Sequence, residues 1–531
     1  MGQRPQDVRG SAFLCVEDPS IVSSSLFVAK PHVPPFSGPL QITFKDGVMS
    51  PRRLTGFLCV LGLSLFAFAA DAPDKDVANR LTGSIFTGPS MNNLRDLTDS
   101  YGGRLTGSPA YQRAADWAVA RFRSYGVENV HVEPFTLPNG WQRGWAHAEM
   151  VAPYTRRLNL ESLGWSPSTP AGGIKGELVA IDDVAPDSIK AKAGQIRGHI
   201  VLLDMEKVLE EGVWKKLHDL LNSPQRFKEA GALAVIVPDT VPNNVLDAFS
   251  LDWGGRLIPI PAAQLGMEDG KLIRRQMEQG PVTLQFSFEN KTSGPTQVNN
   301  VIAEIPGRDH PDEWILIGAH FDSWDFGTGA QDNGTGSAMV MEVARAIAAL
   351  GQAPSRTIRF ALWGGEEEGL VGSTAYVQAH SSELQKCVAV LNTDNGSGHP
   401  KGWKVEGRKD LRDAMQPISD SLLKDLSGDE LSLKTTYDTD HGPFMLQGIP
   451  ALDLMVEMSK YRDVHHKASD TYDKVDPLFL KGGASIVAIT AWAISQRSQP
   501  IAPHIEHAAV GEILKKADLD DFLTQIGAWK P

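Results

Sequence analysis

Histidines and carboxylates recur in short clusters along the second half of this chain: His320 with Asp322 (HFD), Asp332 (QDNG), Glu366 and Glu367 (GGEEEGL), Asp394 (NTDNG) and His466 (HHKASD). Imidazoles and several carboxylates brought to one place are what a borderline or hard cation requires. His320 and Asp322 follow the apolar run WILIGA, and positions i and i+2 of an extended segment share a face. One ring nitrogen of His320 can then meet a metal while Asp322 accepts the other N–H and fixes the tautomer. Alone, H-x-D is a weak motif, and a solvated strand end is the plainer explanation. Asp332 follows a Gly-rich loop and precedes a helical pattern, where capping is the ordinary use of an Asp; held there with both oxygens free, it can bridge two cations. Glu366 and Glu367 end the apolar run TIRFALW, so one can bind metal while the other stays free as a general base. Glu368 reads as acidity at a helix start, favoured by the dipole. Asp394 closes VAVLNTD, where turn formation competes with a ligand role. One of His465 and His466 is expected as the last ligand. Asp440 and His441 (TDHGPF) can shape the substrate pocket or brace a loop, bracing being the favoured reading, and His399, His504 and His507, outside any ligand spacing, are expected at the surface.

The elements that would carry these residues are short apolar runs alternating with helical patterns. Val301 to Ile305, Trp314 to Ile317, Thr357 to Trp363, Val388 to Leu391 and Ala451 to Val456 read as strands; Gly336 to Leu350 and Gly372 to His380 read as helices. This alternation predicts an α/β fold with a mixed, largely parallel central sheet flanked by helices. Ligands in such folds bind beyond the carboxyl ends of the strands, and that is where each candidate falls. Upstream, Ala110 to Tyr125 is expected as a helix stopped by Gly126, and Val130 to Phe135 as a strand. Between 155 and 292 the texture changes to β-like pieces (GELVAID, GHIVLLD, ALAVIVPD, LIPIPAAQL, VTLQFSF) with one clear helical piece, Gln225 to Ala230. No metal candidate comes from this region, which reads as a β-rich inserted domain. An apolar helix over Ala484 to Ile494 suits either core or interface.

At 531 residues the chain is long enough for two or three domains. A formal net charge of −13 argues against nucleic acid or an anionic membrane as the main partner. Three cysteines, Cys15, Cys59 and Cys387, give no disulfide framework, and Cys387 is expected as a buried thiol. Met49 to Arg53, the apolar stretch Leu54 to Phe68 and Ala67-Phe68-Ala69 have the plan of an export leader with its cleavage site. The stretch is too short for a comfortable membrane span. The division expected is therefore an upstream extension over 1–48, a leader over 49–70, the first part of a catalytic domain over 71–154, an insert over 155–292 and the second part with its tail over 293–531. The mature protein is expected to be exported, secreted or periplasmic, with no stable membrane span after cleavage; oligomerisation stays open.

Taken together, HFDS, DNGTGSA, EEEGLVGS, NTD and H-x-x-x-D-T resemble the co-catalytic dinuclear-zinc exopeptidases, and RLTGSPAYQRAADWAVARF resembles their N-terminal stretch. The likeness runs from about residue 80 to 495. The middle region, with GHIVLLD, FKEAGALAVIV and IPIPAAQL, resembles the protease-associated (PA) domain that such enzymes carry. The resemblance implies two Zn2+ per chain, one held by His320 and Asp394, the other by Glu367 and His466, with Asp332 shared between them. It implies Glu366 as general base, Asp322 as the partner orienting His320, and a cis peptide after Asp332. Its spacing selects His466 over His465. The implied activity is hydrolysis of the terminal bond of short peptides or dipeptides by a water that the two ions make acidic. Terminal polarity stays open, as does the role of Arg462 before the histidine pair. Two other readings carry different metal contents: a single-zinc glutaminyl-cyclase-like acyltransferase on the same fold, and a non-catalytic binding protein in which the PA-like region carries the function.

Overall fold

The computed structural model describes residues 74–531 apart from Glu211. The expected extension over 1–48 and leader over 49–70, with Cys15 and Cys59, lie outside the described residues. Cys387 is buried and unpaired.

The central sheet has eight strands, in the order Glu128–Leu137, Thr296–Ile305, Arg356–Trp363, His310–His320, Cys387–Asn392, Ala451–Val456, Pro400–Lys404 and Glu430–Ser432. Four neighbours at its middle, from Arg356–Trp363 to Ala451–Val456, run parallel. Glu128–Leu137 is antiparallel to Thr296–Ile305, which is in turn antiparallel to Arg356–Trp363. The fold is thus mixed α/β with a parallel centre. The parallel strands are buried almost throughout, as runs such as WILIGA and CVAVLN require, because helices cover both faces. Thr335–Ala348 and Pro477–Ser495 pack against each other and against the sheet in the main core. The second of these is apolar on every side, and Asp476 caps it by accepting from the Leu478 and Phe479 N–H groups, with Pro477 in the first turn. It is the one described helix long and apolar enough to cross a membrane, and 78% of that stretch is buried inside the protein. It is therefore a core helix here.

A second sheet of eight strands is ordered Arg156–Arg157, Ala146–Ala152, Thr283–Phe288, Ile174–Ile181, Ile200–Leu203, Ala234–Pro238, Ala262–Leu265 and Leu160–Ser162. It begins earlier than the expected boundary at 155, because Ala146–Ala152 pairs with Thr283–Phe288. The polar alternation of AHAEMVA hid that strand, of which only Ala148 and Met150 are deeply buried. The helix expected over Gln225 to Ala230 is also longer, spanning Val213–Ala230 with Pro224 inside it. Proline has no N–H for the Leu220 carbonyl, which would argue for a break. The Ser223 hydroxyl donates to that carbonyl instead, at 2.7 Å. Helices His507–Lys516 and Asp520–Gln525 close the chain, placing Leu514, Phe522 and Leu523 in one cluster with Leu217 of the long helix and Leu370 beside the central sheet.

Candidate metal centre

All seven singled-out residues lie beyond the carboxyl ends of the parallel strands or in loops folded over them. His320 ends its own strand, level in register with Trp363, which leads through two glycines to Glu366 and Glu367. Asn392 ends the next strand and leads to Asp394. His320 Nε2 is 3.1 Å from Asp332 Oδ1 and 3.1 Å from Asp394 Oδ1. On the far side of Asp332, His466 Nε2 is 3.2 Å from Oδ2 and 3.0 Å from Glu367 Oε2. Asp332 thus turns one oxygen to each histidine. Donors around a tetrahedral Zn2+ with bonds of about 2.0 Å stand about 3.3 Å apart, so both triads have the spacing a cation requires. Asp332 Oδ2 and Glu367 Oε1 are buried without any hydrogen-bond partner, a cost of the kind a metal removes. His465 Nε2 stands 3.4 Å from Asp332 Oδ2, and its ring stacks on that of His466 at 3.7 Å. It belongs with Asp247 and His466 to a third possible ligand group but to neither triad that shares Asp332, whereas His466 also meets Glu367.

The loops are held by buried hydrogen bonds. Asp470, the acidic residue of H-x-x-x-D-T, accepts from the backbone N–H groups of Gln331 (2.6 Å) and Asp332 (3.1 Å). The Asp332–Asn333 peptide is cis. Asn333 donates to the Thr393 carbonyl and accepts from the Gly336 N–H, starting helix Thr335–Ala348. A Cβ on Gly336 would meet the Thr393 carbonyl oxygen at 2.2 Å, so only glycine fits at this approach. Asp322 does more than face His320 Nδ1 at 3.7 Å. It accepts from the N–H groups of Glu366 and Glu367 and from the Thr106 hydroxyl at 2.8 Å. One residue therefore meets His320 Nδ1 through its main-chain carbonyl, at 3.2 Å, and pins the glutamate loop through its carboxylate. Arg104 is fully buried and donates to the carbonyls of Phe321, Thr328 and Gly329. The RLTG segment is in this way the back wall of the site.

Electrostatics point in the same direction. Burial pushes Glu366 well above the ordinary carboxylate range, and Asp394, Glu367 and Asp440 add to it against His320. Burial likewise raises Glu367 to about 7 despite His466, and it raises Asp394. Burial opposes a charge on either histidine, yet Asp394 and Glu366 hold His320, and Glu367 holds His466, well above the imidazole range. Asp332, equally buried, is held well below its usual range by the histidines around it. Without metal, then, protons occupy the places where cations would balance these carboxylates.

Some residues depart from their expected roles. Glu368 is not a solvated helix-start acid. The turn in which the Gly369 N–H bonds to the Glu366 carbonyl tucks its side chain inward at 3% exposure, beside Asp322 and Thr106, and burial drives its pKa well up. His441 braces, its Nε2 lying 3.5 Å from Glu406 and 3.2 Å from the Thr436 carbonyl. Asp440 instead faces the site near Ser373, His320, Asp322 and Asp394, with burial raising it to about 7. His399 and His507 are exposed and His504 half-buried. Arg462 is exposed on the helix Ser459–Val464. The second sheet, from which no site residue was expected, contributes a loop. The Ala248 N–H bonds to the His466 carbonyl, the Gly254 N–H to the Glu368 carbonyl, and Asp247 comes to rest beside His466. Nothing in the string NNVLDAF marks that Asp; only the tertiary approach of the two sheets does.

Comparison with known proteins indicates a metallopeptidase, a hydrolase on this mixed α/β scaffold. Residues 300–490 match the model of Peptidase family M28, a span that contains every expected metal ligand and Glu366. The chain carries a Peptidase family M28 domain and is homologous to carboxypeptidase Q. The carboxypeptidase Q of Mus musculus is 27% identical over 428 residues, covering 80% of this chain and 89% of the relative. The crystal structure of a peptidase M28 precursor from Shewanella amazonensis SB2B superposes with a TM-score of 0.72 at 28% identity, covering 81% of this chain and 99% of the other. A zinc aminopeptidase from Bacillus subtilis shares the fold at a TM-score of 0.60 and 21% identity, over 79% and 97% of the two chains.

Proposed function

We propose that the chain is an exported zinc exopeptidase that hydrolyses the terminal peptide bond of short peptides or dipeptides with two zinc ions and Glu366 as the general base. The observation that carries this reading is Asp332, one of whose oxygens reaches His320 Nε2 and the other His466 Nε2, at 3.1 and 3.2 Å. His320, Asp332 and Asp394 would hold one ion; Asp332, Glu367 and His466 would hold the other. When bound, such a pair supplies Lewis acidity to the scissile carbonyl and lowers the pKa of the attacking water. Glu366 takes the proton of that water on a carboxylate oxygen and returns it to the nitrogen of the leaving amine, so that one C–N bond breaks as one C–O bond forms. Burial, with Asp394, Glu367 and Asp440 around it, raises its proton affinity above that of an ordinary carboxylate, the direction a general base needs. Asp322 holds the Glu366 backbone and so the reach of that carboxylate. The leader pattern over 49–70 supports export, and the second sheet is proposed as the PA-like module that shapes access to the site.

Glu366→Gln keeps shape and removes the base. Turnover is expected to fall by about 10²–10⁴-fold while two zinc per chain remain bound. Metal analysis with rates on free, N-blocked and C-amidated dipeptides checks this and reads terminal polarity from the same panel. An active Glu366→Gln enzyme, or a native protein with one zinc or none, overturns the assignment.

A further inference from the structure

His320 and His466 are treated alike by the fold in one respect that the metal triads do not explain. Each turns Nε2 toward Asp332 and Nδ1 toward a buried carboxylate that is not a proposed ligand. For His320 that carboxylate is Asp322, two residues along the same chain segment, with Nδ1 and Oδ1 separated by 3.7 Å, and the same Nδ1 also bonds the Asp322 main-chain carbonyl at 3.2 Å. For His466 it is Asp247, from the second sheet, at 3.9 Å. His466 Nδ1 and Asp247 Oδ1 are both buried, and neither has a hydrogen-bond partner elsewhere. Two orphaned polar atoms that face each other, one able to donate and the other only to accept, each carry a desolvation cost that a modest approach would remove.

Asp247 is not on a loose loop. Its own N–H bonds to Asp239 Oδ2 at 2.7 Å, and Asp239 Oδ1 takes the N–H groups of Thr240 and Val241, which ties the loop to the end of Ala234–Pro238. Glu268 accepts from the N–H groups of Asn243 and Asn244. On the other side Asp247 forms a bridge with Lys467, next to the Ala248-to-His466 backbone bond. The segment is therefore pinned at both ends with its carboxylate against the histidine ring.

We infer that Asp247 is a positioning residue for His466: it accepts the Nδ1 proton, fixes the tautomer that leaves Nε2 free for metal, and raises the basicity of that nitrogen, so that the second metal position is completed by the inserted sheet. This rests on the two-zinc reading above. A ligating histidine keyed in this way loses about 10–100-fold in metal affinity when its partner is removed.

The test is a titration of the metal-free full chain with Co2+ followed by its visible absorption, with His320→Ala and His466→Ala assigning the two binding steps. Asp247→Ala is expected to weaken the His466 step by about 10–100-fold and shift its absorption band, leaving the His320 step unchanged. Asp247→Asn keeps an acceptor but loses the charge, and is expected to fall between the native protein and Asp247→Ala. Should the alanine variant not fold, the near-isosteric Asn variant decides: its His466 step must weaken and the other must not. Equal weakening of both steps means that Asp247 only supports the fold and overturns the inference, as do unchanged titrations. A native protein that takes up fewer than two ions overturns the two-zinc reading instead.

Discussion

Thr106→Val removes one hydroxyl from behind the site and almost nothing else. Thr106 is fully buried; its hydroxyl donates to Asp322 Oδ2 at 2.8 Å and accepts from the Gly365 N–H at 3.2 Å. A hydrogen bond to a charged group contributes about 1.5–3 kcal/mol, and a buried N–H left without an acceptor costs about 1–3 kcal/mol. Both belong to one side chain that relaxes as a unit, so the two do not sum in full; the expected loss is about 2–4 kcal/mol. Valine matches threonine in size and branching, so the loss reflects the hydroxyl and not a cavity. Denaturant unfolding of the chelated protein measures it, with Thr106→Ser, which keeps the hydroxyl, as the control. Because Asp322 also holds His320 and the N–H groups of Glu366 and Glu367, zinc affinity should fall at both positions together. A valine variant as stable as the serine variant, with unchanged zinc binding, would show that the bonds behind Asp322 carry no weight in shaping the site.

Of the adjacent histidines, His466→Ala is expected to lose one zinc per chain and His465→Ala to retain two, as measured by metal analysis after dialysis; the reverse result would exchange their roles. The metal-free protein should lose stability as pH rises from about 4 to about 7. Burial lifts Asp247, Glu367, Asp440 and Asp470 to about 7 each, against about 4 for an unfolded carboxyl, so in that window the folded chain holds more protons than the unfolded one and stability drops with each proton released. Zinc binds the deprotonated ligands, Glu367 among them, so its binding strengthens as pH rises and should reverse the trend. Unfolding midpoints at pH 5 and pH 8, with chelator and with zinc, check both signs, and a chelated protein more stable at pH 8 than at pH 5 would contradict them.

What could be read from the chain in advance came from local pattern. The five apolar runs expected as strands lie in strands, four of them in the parallel centre, where residues buried on both faces must be apolar in succession. The clusters at their ends gather at one edge, and what each residue there does remains the proposal. Less visible were residues whose roles come from tertiary approach. Asp247 sits in an unremarkable loop of the other sheet. Arg104 and Thr106 lie more than two hundred positions before the loops they hold. Glu368 read as acidity at a helix start because its burial depends on how one turn folds inward. The helix expected only from Gln225 runs back through Pro224 to Val213, and a neighbouring hydroxyl takes up the carbonyl that proline leaves free.

Two main-chain bonds, from Ala248 to His466 and from Gly254 to Glu368, fasten the inserted sheet to the loops on either side of Glu367 and His466. A flap that swings open to admit each substrate would have to break both at every turnover and drag the metal-binding loops with it. The sheet is better understood as fixed masonry around the opening. For the exopeptidase proposed above, the limit on peptide length would then come from a fixed wall and not from a closing motion.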